Sequence, residues 1–197
     1  MIKIKPFVVG VDEVGRGPLA GPVTVSVVFF RSLRSRNLLG IIKDSKLLSE
    51  KRRGELARVL RKLRKKGEIS FSIFSVSART IDRIGIARAV RLATSRALLA
   101  LGVGPRAPIY LDGSMRAPRK FKNQKTIIGG DTKFEIIAIA SIVAKVFRDR
   151  KMTRFSKKYP HYGLDIHKGY GTNGHIRAIK KYGPCKIHRR SFIKNFV

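Results

Sequence analysis

Three short apolar runs in this chain each stop at an acid. FVVGV (residues 7–11) is followed by Asp12 and Glu13, PIYL (108–111) by Asp112, and TII (126–128) by Gly129, Gly130 and Asp131. Short apolar runs bounded by glycines and acids read as buried strands. An α/β sheet gathers sites at strand ends, where connecting loops present polar groups without burying them. A chain with this pattern can gather its strand ends, and the four carboxylates that follow them, at one edge of a sheet.

The segments between these runs fit such a sheet. VTVSVVFF (23–30) and ISFSIFSV (69–76) read as two further strands, the second alternating apolar and polar residues. After Ser49, a plausible N-cap, Leu56, Val59, Leu60 and Leu63 recur at helical spacing, and Gly67 stops the helix. A long helix is expected over 78–101, with Ile84, Ala87, Val90, Ala97, Leu98 and Leu101 on its apolar face. Another is expected over 132–157, with Ile136, Ala140, Val143, Ala144 and Phe147 as core positions. From Tyr159 the chain reads as loop-rich, with one short helix around 175–182. Strands and helices alternate without an internal repeat or a Ser/Gly linker. The expected class is α/β, a mixed sheet flanked by helices in a single domain spanning 1–197.

Charge narrows the partners. The chain carries 44 Lys and Arg against 12 Asp and Glu, a net charge of +32, while 43% hydrophobic residues suffice for a core. An excess of this size repels itself when compact and is easier to tolerate beside a polyanion. Nucleic acid is the first expectation, through neutralisation of phosphates by Lys and Arg; an anionic membrane surface is the second. No run approaches the roughly 18 apolar residues of a membrane span. The single cysteine, Cys185, excludes an internal disulfide framework and fits a reducing cytoplasm. It reads as a structural or incidental thiol. The four histidines lack metal-ligand spacing.

With so few acids, their placement carries weight. Four carboxylates converging at a sheet end repel one another and raise their own pKa values unless cations fill the site. Mg²⁺ suits such a set because it takes one or two carboxylates and leaves positions for water and phosphate. Two ions about 4 Å apart activate a water and stabilise the leaving oxygen of a phosphodiester. Adjacent residues on a flat strand face opposite ways, so Asp12 and Glu13 serve one site only if the strand ends or twists between them. Taken singly, the residues have plainer readings: Asp112-Gly113 as a turn, Asp131 as a helix cap, Asp12-Glu13 as a surface pair.

The strings GVDEVGRGPLAGPV, DSKLLSEKRR, YLDGS, GGDTKFEIIAIASIVAKVFRDRKM and YPHYGLDIHKGYGTNGHIRAIKKYGPCKIHRRSF, in this order, resemble the successive signatures of bacterial ribonuclease HII over about residues 8–192. The resemblance implies a ribonuclease H-like fold with a C-terminal helical extension, here 159–197, that contacts substrate. It implies a monomeric, cytoplasmic endonuclease that uses Mg²⁺ or Mn²⁺. That enzyme cuts RNA in RNA–DNA hybrids and incises 5′ of single ribonucleotides in duplex DNA, leaving 3′-hydroxyl and 5′-phosphate ends. The family's metal-binding carboxylates carry over onto Asp12, Glu13, Asp112 and Asp131. Its ribose-reading turn falls on Gly15, Arg16 and Gly17, where the 2′-hydroxyl distinguishes RNA from DNA. Its substrate-sensing tyrosine falls on Tyr170, and Lys46 of the DSK string is expected at a backbone phosphate. Asp149 is expected as a structural partner of a basic neighbour, and His188 as a buried, hydrogen-bonded histidine. His167 and Arg189 have no assigned chemistry. Two positions depart from the family pattern: Gly130 stands where many members have lysine or alanine, and Ile139 interrupts a run of alanines. A basic nucleic-acid binder without catalysis is the main rival, and a metal nuclease of DNA junctions the other.

Overall fold

A computed structural model describes residues 8–30 and 50–195. Lys46 and the rest of the DSK string lie outside the described residues. The strands are β1 (Val9–Val14), β2 (Val23–Phe30), β3 (Ile69–Val76), β4 (Ile109–Asp112) and β5 (Gln124–Ile127). The helices are α1 (Glu50–Lys65), α2 (Ala78–Ile84), α3 (Ile86–Ala100), α4 (Gly130–Lys133), α5 (Glu135–Lys158), α6 (Leu164–His167), α7 (Asn173–Tyr182) and α8 (Arg190–Ile193), with a 3₁₀ turn at Pro160–Tyr162. The sheet order is β3-β2-β1-β4-β5. β1, β2 and β3 pair antiparallel, whereas β1, β4 and β5 run parallel. The expected mixed α/β sheet is what the chain forms.

Both sheet faces are covered, and β2 shows how. Val23, Val25 and Val27 point to one face, where they join Val9, Val11 and the α3 residues Ala89, Val90, Ala93, Ala97 and Leu98. Val28 and Phe30 point to the other, against Leu56, Leu60 and Leu63 of α1 and the first half of α5. A third cluster, with Leu19, Ala20, Met152, Tyr162, Leu164 and Ile179, ties the tail to the loop after β1.

Two expected long helices are broken. The helix over 78–101 divides at Gly85, whose φ of 79° and ψ of 157° suit glycine and end α2 before α3 begins. Ser77 caps α2 by accepting the Thr80 N–H at 3.2 Å. The helix over 132–157 is interrupted by Phe134 in an extended conformation between α4 and α5. This break lets the Phe134 ring stack on Tyr110 of β4 at 5.5 Å between centroids. The last strand ends at Ile127, leaving Ile128 82% exposed rather than in the sheet. The tail holds more helix than the one short segment expected. Val59, Ala87 and Phe147, expected on apolar faces, are exposed. Helical spacing fixes the centre of a buried stripe but not its width.

α5 passes directly over β1 at Gly10. A Cβ on Gly10 would lie 2.3 Å from the Ile136 carbonyl oxygen. Ile139, the departure from the alanine run, is buried in the same contact layer. Gly10→Ala is expected to force α5 off the sheet at a cost of about 2–3 kcal/mol, a fall in Tm of roughly 5–10 °C. An unchanged melting temperature would refute this account of the packing.

Candidate active site

The carboxylates gather where β1 and β4 end. The parallel ladder pairs Val11 with Leu111, so the next residues, Asp12 and Asp112, follow on neighbouring strands. Asp131 sits in the first turn of α4, just beyond β5. Asp112 Oδ1 accepts the N–H groups of Gly130 at 2.7 Å and Asp131 at 3.3 Å, which fixes the start of α4 against the end of β4. Gly130 fits because no side chain does. A Cβ there would lie 2.6 Å from Ile137 Cδ1 and 3.2 Å from Asp112 Oδ1. The glycine at this family-divergent position is matched by an isoleucine that fills its space.

Glu13 departs from the simplest expectation. β1 does not end between the two acids; it continues to Val14, with Asp12 opposite Ser26 and Glu13 opposite Val25. The two side chains therefore alternate across the pleat. The Glu13 N–H donates to Asp12 Oδ1 at 2.7 Å, and Arg16 Nη1 donates to Glu13 Oε1 at 3.1 Å. Burial pushes the Asp12 carboxyl well above the ordinary range; a hydrogen bond from Ser141 opposes this, and the charges of Glu13 and Asp112 add to it. Burial also raises Glu13, against the stabilising hydrogen bond and charge of Arg16. Asp112 thus acts electrostatically on both neighbours, and the three form one coupled group.

This donor set fits a hard divalent cation. All the candidate donors are carboxylate oxygens, two of the carboxyls are held above their ordinary range, and Glu13 Oε2 is buried with no hydrogen-bond partner among the described residues. Among the described residues, no three acidic, histidine or cysteine side chains converge closely enough to enclose an ion as they stand. A cation would have to draw them inward, and the Arg16–Glu13 contact is what it would compete with.

The turn after β1 lies against the tail. Gly15 has φ 87°, where a Cβ would strike Arg148. Leu19 N and Ala20 N donate to Gly169 O at 2.8 and 3.3 Å, Gly21 N to Ile187 O at 2.8 Å, and Arg189 N to Leu19 O at 2.8 Å. Arg148 and Arg189, both buried, reach the same turn: Arg189 through Gly15 O, Arg16 O and Gly21 O, and Arg148 through Ala20 O and Pro22 O. Sequence reasoning gave Arg189 no role. Its only signal was an arginine in a run that also contributes Ile187 and Phe192 to the core. Tyr170 is 47% exposed, beside the turn, with Arg148 Cζ 5.9 Å from its ring centre.

Three histidines support Tyr170 from below. The Cys185 N–H donates to His188 Nδ1 at 3.0 Å, so His188 carries its proton on Nε2 and donates to His175 Nε2 at 3.0 Å. His175 then carries its proton on Nδ1 and donates to Tyr170 O at 2.9 Å. His167 stacks on His175 at 4.3 Å. Burial pulls His188 down to about 4, helped by the neighbouring His175. The expected buried, hydrogen-bonded histidine is thus one link of a relay. Asp149, expected as a structural partner, is nearly buried on α5.

Residues 9–195 match the family model for ribonuclease HII. Ribonuclease HII of Endomicrobium trichonymphae is 45% identical over 186 residues, covering 94% of this chain and 84% of that protein. Ribonuclease HII of Caldicellulosiruptor bescii is 44% identical over 191 residues, covering 97% and 88%. Among solved structures, ribonuclease H2 of Pyrococcus horikoshii superposes with a TM-score of 0.74 at 27% identity, covering 96% of each chain. Ribonuclease HII of Archaeoglobus fulgidus, solved in complex with PCNA, gives a TM-score of 0.76 at 25% identity, also covering 96% of each.

Two outcomes follow from the electrostatics. Asp12→Asn removes a buried charge held near two others, so the metal-free variant should melt a few °C above the wild type at pH 7.5; a lower Tm would contradict the coupling. His188, held near 4 in the fold against 6.5 unfolded, contributes stability that is full above pH 6.5 and is lost as pH falls toward 4. The loss amounts to about 1–2 kcal/mol after solvent screening. His188→Gln should flatten the fall in Tm across that interval, and an equally steep fall would show that His188 is not its source.

Proposed function

The chain belongs to the ribonuclease HII family, and we propose that its four strand-end carboxylates and the adjoining turn make it an endonuclease that incises 5′ of ribonucleotides in duplex nucleic acid. It is a hydrolase of the ribonuclease H class, an endoribonuclease acting on RNA in hybrids. The finer reading covers single ribonucleotides embedded in DNA and products with 3′-hydroxyl and 5′-phosphate ends. The observation that carries it is the juxtaposition of the coupled Asp12–Glu13–Asp112 group with the Gly15-Arg16-Gly17 turn, one residue beyond the end of β1.

Asp12, Glu13, Asp112 and Asp131 would hold Mg²⁺ or Mn²⁺. When bound at such a site, divalent cations activate a water for in-line attack on phosphorus and stabilise the departing 3′ oxygen. Asp112 orients the start of α4, and with it Asp131, through the N–H groups that it accepts. Ser141 orients Asp12. The backbone of Arg16 and Gly17 would meet the ribose 2′-hydroxyl, a reading supported by the exposure of both residues and by the open space beside Gly17, where nothing lies within 4 Å of where a Cβ would be. Tyr170 presents a half-exposed ring for stacking beside the RNA–DNA junction. The tail from 159 onward is the substrate-contacting extension of a single domain, and Lys46 is assigned to a backbone phosphate. With a net charge of +32, duplex affinity should fall steeply with salt. No helix among the described residues is long and apolar enough to cross a membrane. The enzyme is proposed to act as a monomer in the cytoplasm.

The test is a cleavage assay on a duplex with one ribonucleotide, with Mg²⁺ or Mn²⁺, beside an all-DNA duplex and an EDTA control. The expected result is metal-dependent incision 5′ of the ribonucleotide, no cutting of DNA, and loss of at least about 100-fold in rate for Asp131→Asn with its fold intact. Tight binding without cutting in either metal would leave a basic binder.

A further inference from the structure

Arg148 and Arg189 are the largest fully buried side chains among the described residues. Neither has an ion-pair partner among the described residues within 4 Å. Their donors go to main-chain oxygens instead. Arg189 donates from Nε to Gly21 O at 3.0 Å, from Nη1 to Arg16 O at 2.7 Å and from Nη2 to Gly15 O at 2.5 Å. Arg148 donates from Nε to Pro22 O at 3.0 Å, from Nη2 to Ala20 O at 3.2 Å and from Nη1 to Lys168 O at 3.0 Å. Burial pulls Arg189 down to about 9, and the positive Arg148 nearby adds to this. Two like charges placed together out of water disfavour folding unless something else requires them.

The planar trans peptide shows what they accomplish. Within one peptide unit the C=O of a residue and the N–H of the next point in opposite directions. Drawing the Gly15 and Arg16 oxygens inward onto Arg189 therefore turns the N–H groups of Arg16 and Gly17 outward. Both residues are exposed, and neither N–H has an acceptor among the described residues. Arg148 holds the other arm of the loop and, through Lys168 O, the segment two residues before Tyr170. The turn and the tyrosine are thereby held in one register by a pair of guanidiniums, beside the bonds that Leu19 N and Ala20 N donate to Gly169 O.

We propose that Arg148 and Arg189 are positioning residues for sugar discrimination. They orient the outward N–H groups of Arg16 and Gly17, and set Tyr170 against them, without touching the substrate. This rests on the reading of the turn given under the proposed function. A lysine keeps the charge but is a point donor, without the planar fork that spans three oxygens. Arg189→Lys should therefore leave a folded protein with its general affinity for duplex but with a loosened turn.

The experiment measures equilibrium binding to two short duplexes, one all-DNA and one with a single ribonucleotide, in Ca²⁺ to suppress turnover. The wild type should prefer the ribonucleotide duplex. Arg189→Lys should lower that preference about tenfold, the scale of one lost hydrogen bond, while affinity for the all-DNA duplex stays within about twofold. Arg148→Lys should lower it in the same direction and serves if Arg189→Lys does not fold. Ile179→Ala, which loosens the same tail core without touching the loop oxygens, is the control. It should lower Tm and leave the preference intact. The proposal is overturned if folded lysine variants keep the wild-type preference, or if Ile179→Ala loses it equally, which would make the effect one of general loosening. A wild type that shows no preference would instead refute the reading of the turn itself.

Discussion

The approach of α5 to β1 over Gly10 sets the distances on which the rest of the structure depends. One helix, seated by a missing side chain, delivers three different groups to three different places. Ser141 reaches Asp12 at the sheet end. Two turns further on, Arg148 reaches the loop after β1. One turn beyond that, Met152 packs where Gly21 and Gly169 leave room for it. The helix acts as a ruler: a shift large enough to admit a methyl group at Gly10 would move all three together. Carboxylate geometry and loop geometry are thus one property of the fold.

The charges are sorted along that ruler. At its start, acids lie close together without enough opposing charge, and burial raises Asp12 and Glu13. At its middle, two cations lie close together and burial lowers both. Each group is unfavourable by itself. The first would be relieved by an incoming cation. The second is relieved permanently, by main-chain dipoles of the segment that it organises. Main-chain oxygens thus take the direct bonds of both guanidiniums, while Asp149 and Asp82 oppose the effect of burial on Arg148 and Arg189 only through their charge.

Much of the site was legible in the sequence because strand ends are local events. An apolar run, an acid and a glycine suffice to place Asp112 and Asp131 at one edge, whereas Asp12 lies two residues before β1 ends. The pleat position of Glu13 was not, since nothing in GVDEVG says whether a strand stops after four residues or six. The breaks at Gly85 and Phe134 were hidden because the apolar spacing continues across them; only backbone angles, and a ring that finds Tyr110, reveal the interruption. Arg148 and Arg189 were the hardest to read. Their partners are carbonyl oxygens, which every residue has, so no pairing of residue types marks the contact. The histidine relay was partly visible as a burial reading for His188, but its direction is set at both ends by main-chain groups, the Cys185 N–H and the Tyr170 carbonyl oxygen.

The bonds from Arg189 to the turn span 173 and 174 positions in the chain. A polypeptide leaving the ribosome completes β1 and its glycine turn early, yet the guanidinium that orients that turn emerges only after the sheet, α5 and α7. Throughout most of its synthesis the nascent chain has a basic surface but no seated turn. The bonds that seat the turn form only once the segment carrying Arg189 docks. A product truncated before Arg189 would retain the acids without the guanidinium that draws the Gly15 and Arg16 oxygens inward.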